Sequence, residues 1–259
     1  MSAAIIGGTG IDEMPELASG QRVLVSTRFG EAQLIEGKLG GKEVLFLARH
    51  GPGHSVPPRH INYRAQIAAL KKSGVQRVIA VCAVGSLDMR IEPGSLAILA
   101  DFIDLTRHRP DTYFGDPDGP VVHTDFTSPY CPEMSTALVE ACSREKASCE
   151  PRAVYVGVEG PRYETPAEIR LYSSWGGHVI GMTGVPEATL AREAGLCYGA
   201  IAVVANLAAG MSPTPLTHED IRTAVTSAGD TIRAVLEAAV DSIPTTRRCT
   251  CATNTSLVL

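Results

Sequence analysis

Short apolar, β-branched runs alternate along the chain with segments whose apolar residues recur every three to four positions, the pattern of strand-helix-strand units. The runs predict strands at Ala3–Ile6, Glu43–Ala48, Arg77–Val81, Ser95–Ile103, Ala153–Val158, His178–Met182 and Tyr198–Ala205. Between them, Tyr63, Ile67 and Leu70 share one helical face, Lys71 and Lys72 fall in the last turn and Gly74 supplies a stop, so Asn62–Ser73 is predicted helical. Thr217–Asp241 reads as another helix, with Ile221, Val225, Ile232, Leu236 and Ala239 in phase and Thr217 and Asp220 placed like a capping box. Pro132–Glu145, Thr165–Trp175 and Pro186–Ala194 complete the helices. Thr106–Tyr130 has little periodicity and is rich in Pro, Gly and Asp; loops this long in a compact domain usually serve function or an interface.

The weakly polar stretches Val75–Ser86 and Cys197–Gly210 are strand-sized, well short of the roughly 18 apolar residues a membrane span needs. The first residues lack the basic flank and apolar segment of a secretory signal, so a soluble, cytoplasmic chain with no membrane partner is expected. Its 259 residues, with Gly 25 and Pro 17 spread out and no repeat or linker, point to one α/β domain over residues 1–241 and a C-terminal tail over 242–259. A net charge of −5 argues against a nucleic-acid partner, which would call for a basic patch. Seven cysteines do not resemble a secreted disulfide framework and read mostly as buried thiols. Cys249 and Cys251, in a polar end segment, could be redox active, could tie the tail down or could belong to a disordered terminus.

In open α/β sheets ligands sit beyond the carboxyl ends of the strands, which directs attention to the residues following each run. Gly7-Gly8-Thr9-Gly10 offers close backbone approach, amides and a hydroxyl suited to phosphate, although a tight turn without a ligand would look the same. Arg49-His50 places a permanent cation and an imidazole at a strand end, and Arg suits bidentate contact with phosphate oxygens. His50 and His54 are four apart, but Gly51, Pro52 and Gly53 preclude the helix that would aim both at one ion, so no metal site is expected there. Glu164 and Asn206 form a further candidate pair. A carboxylate facing N1–H and a carboxamide facing O6 and N7 would complement a 6-oxopurine, whereas adenine reverses the N1 polarity. Glu164 could equally be an acid favouring the N-terminus of the helix that follows it.

Five ordered motifs carry a resemblance. Ile5-Ile6-Gly7-Gly8-Thr9-Gly10, Leu47-Ala48-Arg49-His50-Gly51, Asn62-Tyr63-Arg64-Ala65, Val158-Glu159-Gly160-Pro161-Arg162 and Gly181-Met182-Thr183-Gly184-Val185-Pro186-Glu187-Ala188 resemble the trimeric purine nucleoside phosphorylase and methylthioadenosine phosphorylase family. The resemblance runs from Ala3 to Asp241 and implies one domain with a mixed central sheet flanked by helices. It also implies a homotrimer or dimer of trimers, and phosphorolysis of a purine nucleoside to free base and pentose 1-phosphate. Inorganic phosphate would be a co-substrate, with no cofactor. By position, Thr9, Arg49, His50, Ala83 and Thr183 match the phosphate site, Tyr163 an aromatic against the base, Met182 a residue beside the ribose, and His123 a stretch reaching a neighbouring subunit's pocket. Glu164 and Asn206 match the 6-oxopurine branch, where the methylthioadenosine branch has Ser and Asp; His218 matches a residue meeting a 5′-hydroxyl.

The remaining motifs look more like the methylthio branch, and the combination is similar to methylthioinosine phosphorylases. Cys82 and Ala205 stand where the family commonly has Thr. The expected substrates are thus 5′-methylthioinosine, inosine or guanosine, with phosphorolysis of the 6-amino methylthioadenosine as the alternative. A phosphate-independent nucleoside hydrolase and a non-catalytic nucleotide-binding module are further readings. The expected catalytic groups are Asn206, Glu164 and His50.

Overall fold

The computed structural model describes residues 3–8, 20–213 and 217–253, the side chain of His218 excepted. Nine strands form one mixed sheet: β1 (Ala3–Gly7), β2 (Gln21–Thr27), β3 (Gly30–Leu39), β4 (Lys42–Ala48), β5 (Arg77–Ser86), β6 (Leu96–Asp104), β7 (Cys149–Gly157), β8 (Val179–Gly181) and β9 (Cys197–Leu207). Their order is β2-β3-β4-β1-β5-β8-β7-β6-β9, and β5 also pairs with β9, so the last five strands close on themselves. Parallel pairing of β1 with β4 and β5, and of β5 with β9, brings their carboxyl ends to one edge.

Six α-helices cover the described sheet: α1 (Tyr63–Lys72), α2 (Pro132–Arg144), α3 (Pro166–Ser174), α4 (Gly184–Glu193), α5 (His218–Ser227) and α6 (Gly229–Ser242). Alternate residues of β1 enter two separate cores. Ala4 and Ile6 join Ile67 and Leu70 of α1 and Leu190 of α4, while Ala3 and Ile5 join Leu138 of α2 and Leu236 of α6. Burial on both faces is why the central strands read as unbroken apolar runs instead of alternating patterns.

The expected fold class is the observed one, with two differences in the elements. The antiparallel β2–β3 hairpin has no counterpart among the expected strands. β2 is an edge strand that buries little, and Leu24, 60% exposed, interrupts the polar-apolar alternation that would have marked it. The single helix expected over Thr217–Asp241 is two, broken at Ala228 just before Gly229, a residue about 1 kcal/mol poorer than Ala inside a helix. Its start is as expected, with Thr217 Oγ1 accepting from the Asp220 N–H at 3.1 Å. Beyond α6, Arg247 donates to the Gly195 carbonyl at 3.0 Å and the Arg248 N–H to Glu133 at 2.7 Å, which attaches the tail to the body through Thr253.

Candidate active site

The ends of β4, β5, β8 and β9 and the segment before α3 surround a cavity of about 230 Å³. Arg49, His50, Ala83, Tyr163, Glu164, Met182, Thr183 and Asn206, eight of the expected site residues, all line it. Three others are not brought there. Thr9 and the side chain of His218 lie outside the described residues, and His123 sits exposed on the loop between β6 and α2 and is not among the residues that line this chain's cavity. The helix carrying His218 does contribute Ile221 to the wall.

Arg49 is 1% exposed and heavily engaged. Its Nε and Nη2 grip the two oxygens of Glu187, the latter at 3.0 Å, and Nη1 donates to the Val81 carbonyl at 3.0 Å. Tyr198 Oη donates to the same carboxylate at 2.8 Å. Burial alone would lower the guanidinium pKa, but the Glu187 charge more than offsets it, so Arg49 stays cationic. Three of its five N–H groups are used in these bonds, leaving two for a ligand. Gly8 permits this packing: a Cβ there would stand 2.5 Å from Nη1. Glu187 and Tyr198 escape sequence reasoning because a lone Glu in a helix and a Tyr in a strand carry no local sign of a buried partner; only the fold brings them to Arg49.

The His50 ring is oriented by the Val56 carbonyl, 2.8 Å from Nδ1, which therefore carries the proton in the neutral ring. As expected, no α-helix joins His50 to His54, yet the Pro52–His54 turn folds the two rings face to face, centroids 3.9 Å apart. Nitrogen lone pairs lie in the ring planes, so near-parallel stacked rings do not converge on one ion. Thr183 precedes α4, its hydroxyl makes no capping bond to the helix end, and Tyr155 Oη accepts the Thr183 and Gly184 N–H groups at 3.1 and 3.2 Å.

On the other side of the cavity, the helix-terminal duty that Glu164 could have filled belongs to Glu168. A complete capping box starts α3: Thr165 Oγ1 accepts from the Glu168 N–H at 3.2 Å and Glu168 accepts from the Thr165 N–H at 2.7 Å. Glu164, one residue before the cap, turns into the cavity, where burial pushes its carboxyl pKa up. Asn206 follows an irregularity in β9, where Val84 faces Val204 but Gly85 faces Asn206; such bulges re-aim side chains. Its Nδ2 donates to the Leu207 carbonyl at 2.7 Å, and a Cβ on Gly85 would stand 3.4 Å from that nitrogen. Cys82, at the cavity wall, is a thiol pushed up to about 12 by burial and so is no nucleophile at neutral pH.

The 106–130 loop contributes a residue that the sequence does not single out. Arg109 donates to the Glu159 carbonyl at 2.6 Å, to the Met182 carbonyl and to Tyr63 Oη at 3.2 Å, pinning the loop to the strand ends that frame the cavity. The same loop is anchored at Glu193, which accepts from Thr112 Oγ1 at 2.8 Å and from the Tyr113 N–H at 2.7 Å.

A buried cation with two spare donors beside a carboxylate and a carboxamide in one cavity suits a ligand with an anionic end and a polar heterocyclic end. Comparison with known proteins agrees. The chain is 46% identical over 96% of its length, and 95% of the relative's, to the 6-oxopurine nucleoside phosphorylase of Pyrococcus furiosus. It is 43% identical, over 95% of its length and 86% of the relative's, to the "Probable S-methyl-5'-thioinosine phosphorylase" of Methanothermobacter thermautotrophicus. A methylthioadenosine phosphorylase from an antarctic soil metagenomic library superposes with a TM-score of 0.90 at 34% identity, covering 98% of this chain and 91% of that one. The phosphorylase superfamily model matches residues 2–241, and the chain belongs to that family.

Proposed function

We propose that this protein is an enzyme catalysing phosphorolysis of 6-oxopurine nucleosides, including 5′-methylthioinosine. The observation that carries the reading is the convergence of Glu164 and Asn206 on the cavity that Arg49 and Thr183 also line. Phosphate, held by Arg49, Thr183 and His50 with Ala83 alongside and Thr9 by resemblance, attacks C1′ as the C1′–N9 bond breaks. The bonding electrons pass to the purine, which takes up the proton that hydrogen phosphate gives up, and a phosphate oxygen becomes the ester oxygen of pentose 1-phosphate. Positive charge develops on the sugar, as in other glycosidic cleavages, and is balanced by the phosphate. Negative charge develops on the base, where Asn206 meets N7 and O6 and the Glu164 carboxylate accepts from N1–H. Tyr163 packs on the base and Met182 beside the ribose.

Names of relatives from both 6-oxopurine classes support this choice of base. Solved methylthioadenosine phosphorylases share the fold and favour the 6-amino alternative, but an adenine N1 would leave the Glu164 carboxylate facing another acceptor. The apolar Ile221 and Met182 at the wall support room for a 5′-methylthio group. The partners in this reading are a small nucleoside and phosphate, and no helix among the described residues is long and apolar enough to cross a membrane.

Asn206→Ala tests the base contact. Phosphorolysis of inosine should fall by about 100-fold or more, comparable with loss of one oxyanion donor, while KM for phosphate stays within a small factor. Asn206→Asp should move preference toward 6-amino purines. Near-normal turnover in the first variant and an unchanged substrate ratio in the second would remove Asn206 from the mechanism. The exposed position of His123 supports its reaching a neighbouring protomer in a homotrimer, so light scattering should return three chain masses or a multiple; a monomer active at full rate would refute that role.

A further inference from the structure

Outside the cavity, four cysteines from three separate parts of the chain meet. Cys131 caps the start of α2, Cys197 begins β9, and Cys249 and Cys251 belong to the segment after α6. Their sulfurs all lie within 4.8 Å of one another, and three of the four residues are buried. Buried single cysteines behave as small hydrophobes and need no explanation. Four converging on one point do, since no other group of three or more His, Cys, Asp or Glu side chains that could hold an ion occurs among the described residues.

We propose that Cys131, Cys197, Cys249 and Cys251 form a structural tetrathiolate site for a divalent d10 cation, zinc in the first instance, which fastens the C-terminal segment to the body. Tetrahedral Zn–S bonds of about 2.3 Å place sulfurs about 3.8 Å apart. The Cys197–Cys249 pair is at 3.4 Å and the widest separation at most 4.8 Å, so closing the set on one ion needs movements of about 1 Å or less. Four neutral thiols would release four protons to solvent on binding, with no change in the oxidation state of sulfur or metal, and leave a centre of charge 2−. The surroundings suit that charge. Arg192, 5% exposed, donates from Nη1 to Cys251 Sγ at 3.6 Å, and Arg247 is held close by through its bond to the carbonyl of Gly195, two residues before Cys197. Such outer cations and donors orient and stabilise thiolate ligands.

The ligand spacing departs from the C-x₂₋₄-C knuckle of small zinc modules. Here the two body ligands are fixed beforehand by the fold: the Cys131 N–H donates to the Tyr198 carbonyl at 2.8 Å and the Cys197 N–H to the Gln76 carbonyl at 2.9 Å. The tail supplies the other two from one short turn. The site lies at the start of β9, the strand that carries Asn206 near its other end, and its role is to hold, not to react.

The test uses the full chain purified under reductant from zinc-supplemented cells. Elemental analysis should find about one zinc per chain, as for a closed four-ligand site. Cobalt replacement should give the visible bands and sulfur-to-metal charge transfer of tetrahedral thiolate coordination. Cys249→Ser and Cys251→Ser should each lose the metal, and Cys142→Ser, outside the cluster, should keep it. Removing the metal should lower the melting temperature and adding zinc should restore it. Fully reduced wild-type protein that takes up neither zinc nor cobalt would overturn the proposal, as would disulfides among these four residues that persist as the sole native form. The cobalt spectrum of the wild type decides the matter even if a variant folds poorly.

Discussion

Glu187 decides what Arg49 can do. Without it, a guanidinium 1% exposed would be an uncompensated buried charge; with it, the pair is rigid and electrically balanced while two N–H groups remain for an anion. The cost of losing one partner from such a pair is about 3–5 kcal/mol, because the other is left buried and unpaired. Glu187→Ala should therefore lower the unfolding free energy by about that amount and abolish phosphate saturation, as read by urea denaturation and by initial rates against phosphate. A variant of wild-type stability would mean that the pair is not formed. Surface pairs such as Arg162–Glu168, where Arg162 is 67% exposed, should matter far less to stability.

The segment before α3 shows how an element frees a residue for function. Because Thr165 and Glu168 satisfy the helix N-terminus, Glu164 is not required there and its half-buried carboxyl faces the cavity. Burial raises its pKa, so the charged form that the proposed N1–H contact requires exists only above that raised value and is lost as pH falls through it. The rate constant kcat/KM for inosine should thus decline on the acid side at a higher pH than an exposed Glu would give, and Glu164→Gln should remove that limb. Phosphate ionisation is common to both proteins, so an identical acid limb in the variant would separate Glu164 from base recognition.

Local chemistry governs what is legible in the chain alone. Asn62, Gly74 and Thr217 announce helix ends because caps act over three or four residues, and the doubly buried β1 and β9 announce themselves as apolar runs. The strand ends likewise point to Arg49, His50, Glu164 and Asn206, the family resemblance adds Ala83, Tyr163, Met182 and Thr183, and the fold gathers all eight around one cavity. Glu187, Tyr198 and Arg109 leave no such mark. The partners of Glu187 and Arg109 are distant in sequence, with Arg49 138 residues from Glu187 and Met182 73 from Arg109. The β2–β3 hairpin goes unmarked for lack of burial, and the cysteine cluster because Cys131 and Cys197 meet the tail only in three dimensions.

For the molecule as a whole, a net charge of −5 and a cavity of about 230 Å³ fit an enzyme that offers the spare N–H donors of one buried arginine to one small anion. The sheet supplies the carboxyl ends, α4 supplies Glu187 and Thr183 precedes it, and the 106–130 loop is tied by Arg109 over the same edge. In the reaction proposed above, all three would serve a step whose distinguishing reagent is phosphate and whose distinguishing substrate feature is the 6-oxo group. The most direct measurement is product formation from inosine, guanosine, methylthioinosine and methylthioadenosine, each with and without phosphate, followed as free base and as sugar product. Base and pentose 1-phosphate should appear together only when phosphate is present, with the 6-oxopurine substrates turned over faster than methylthioadenosine. Release of free sugar without phosphate, or preference for the 6-amino substrate, would contradict it.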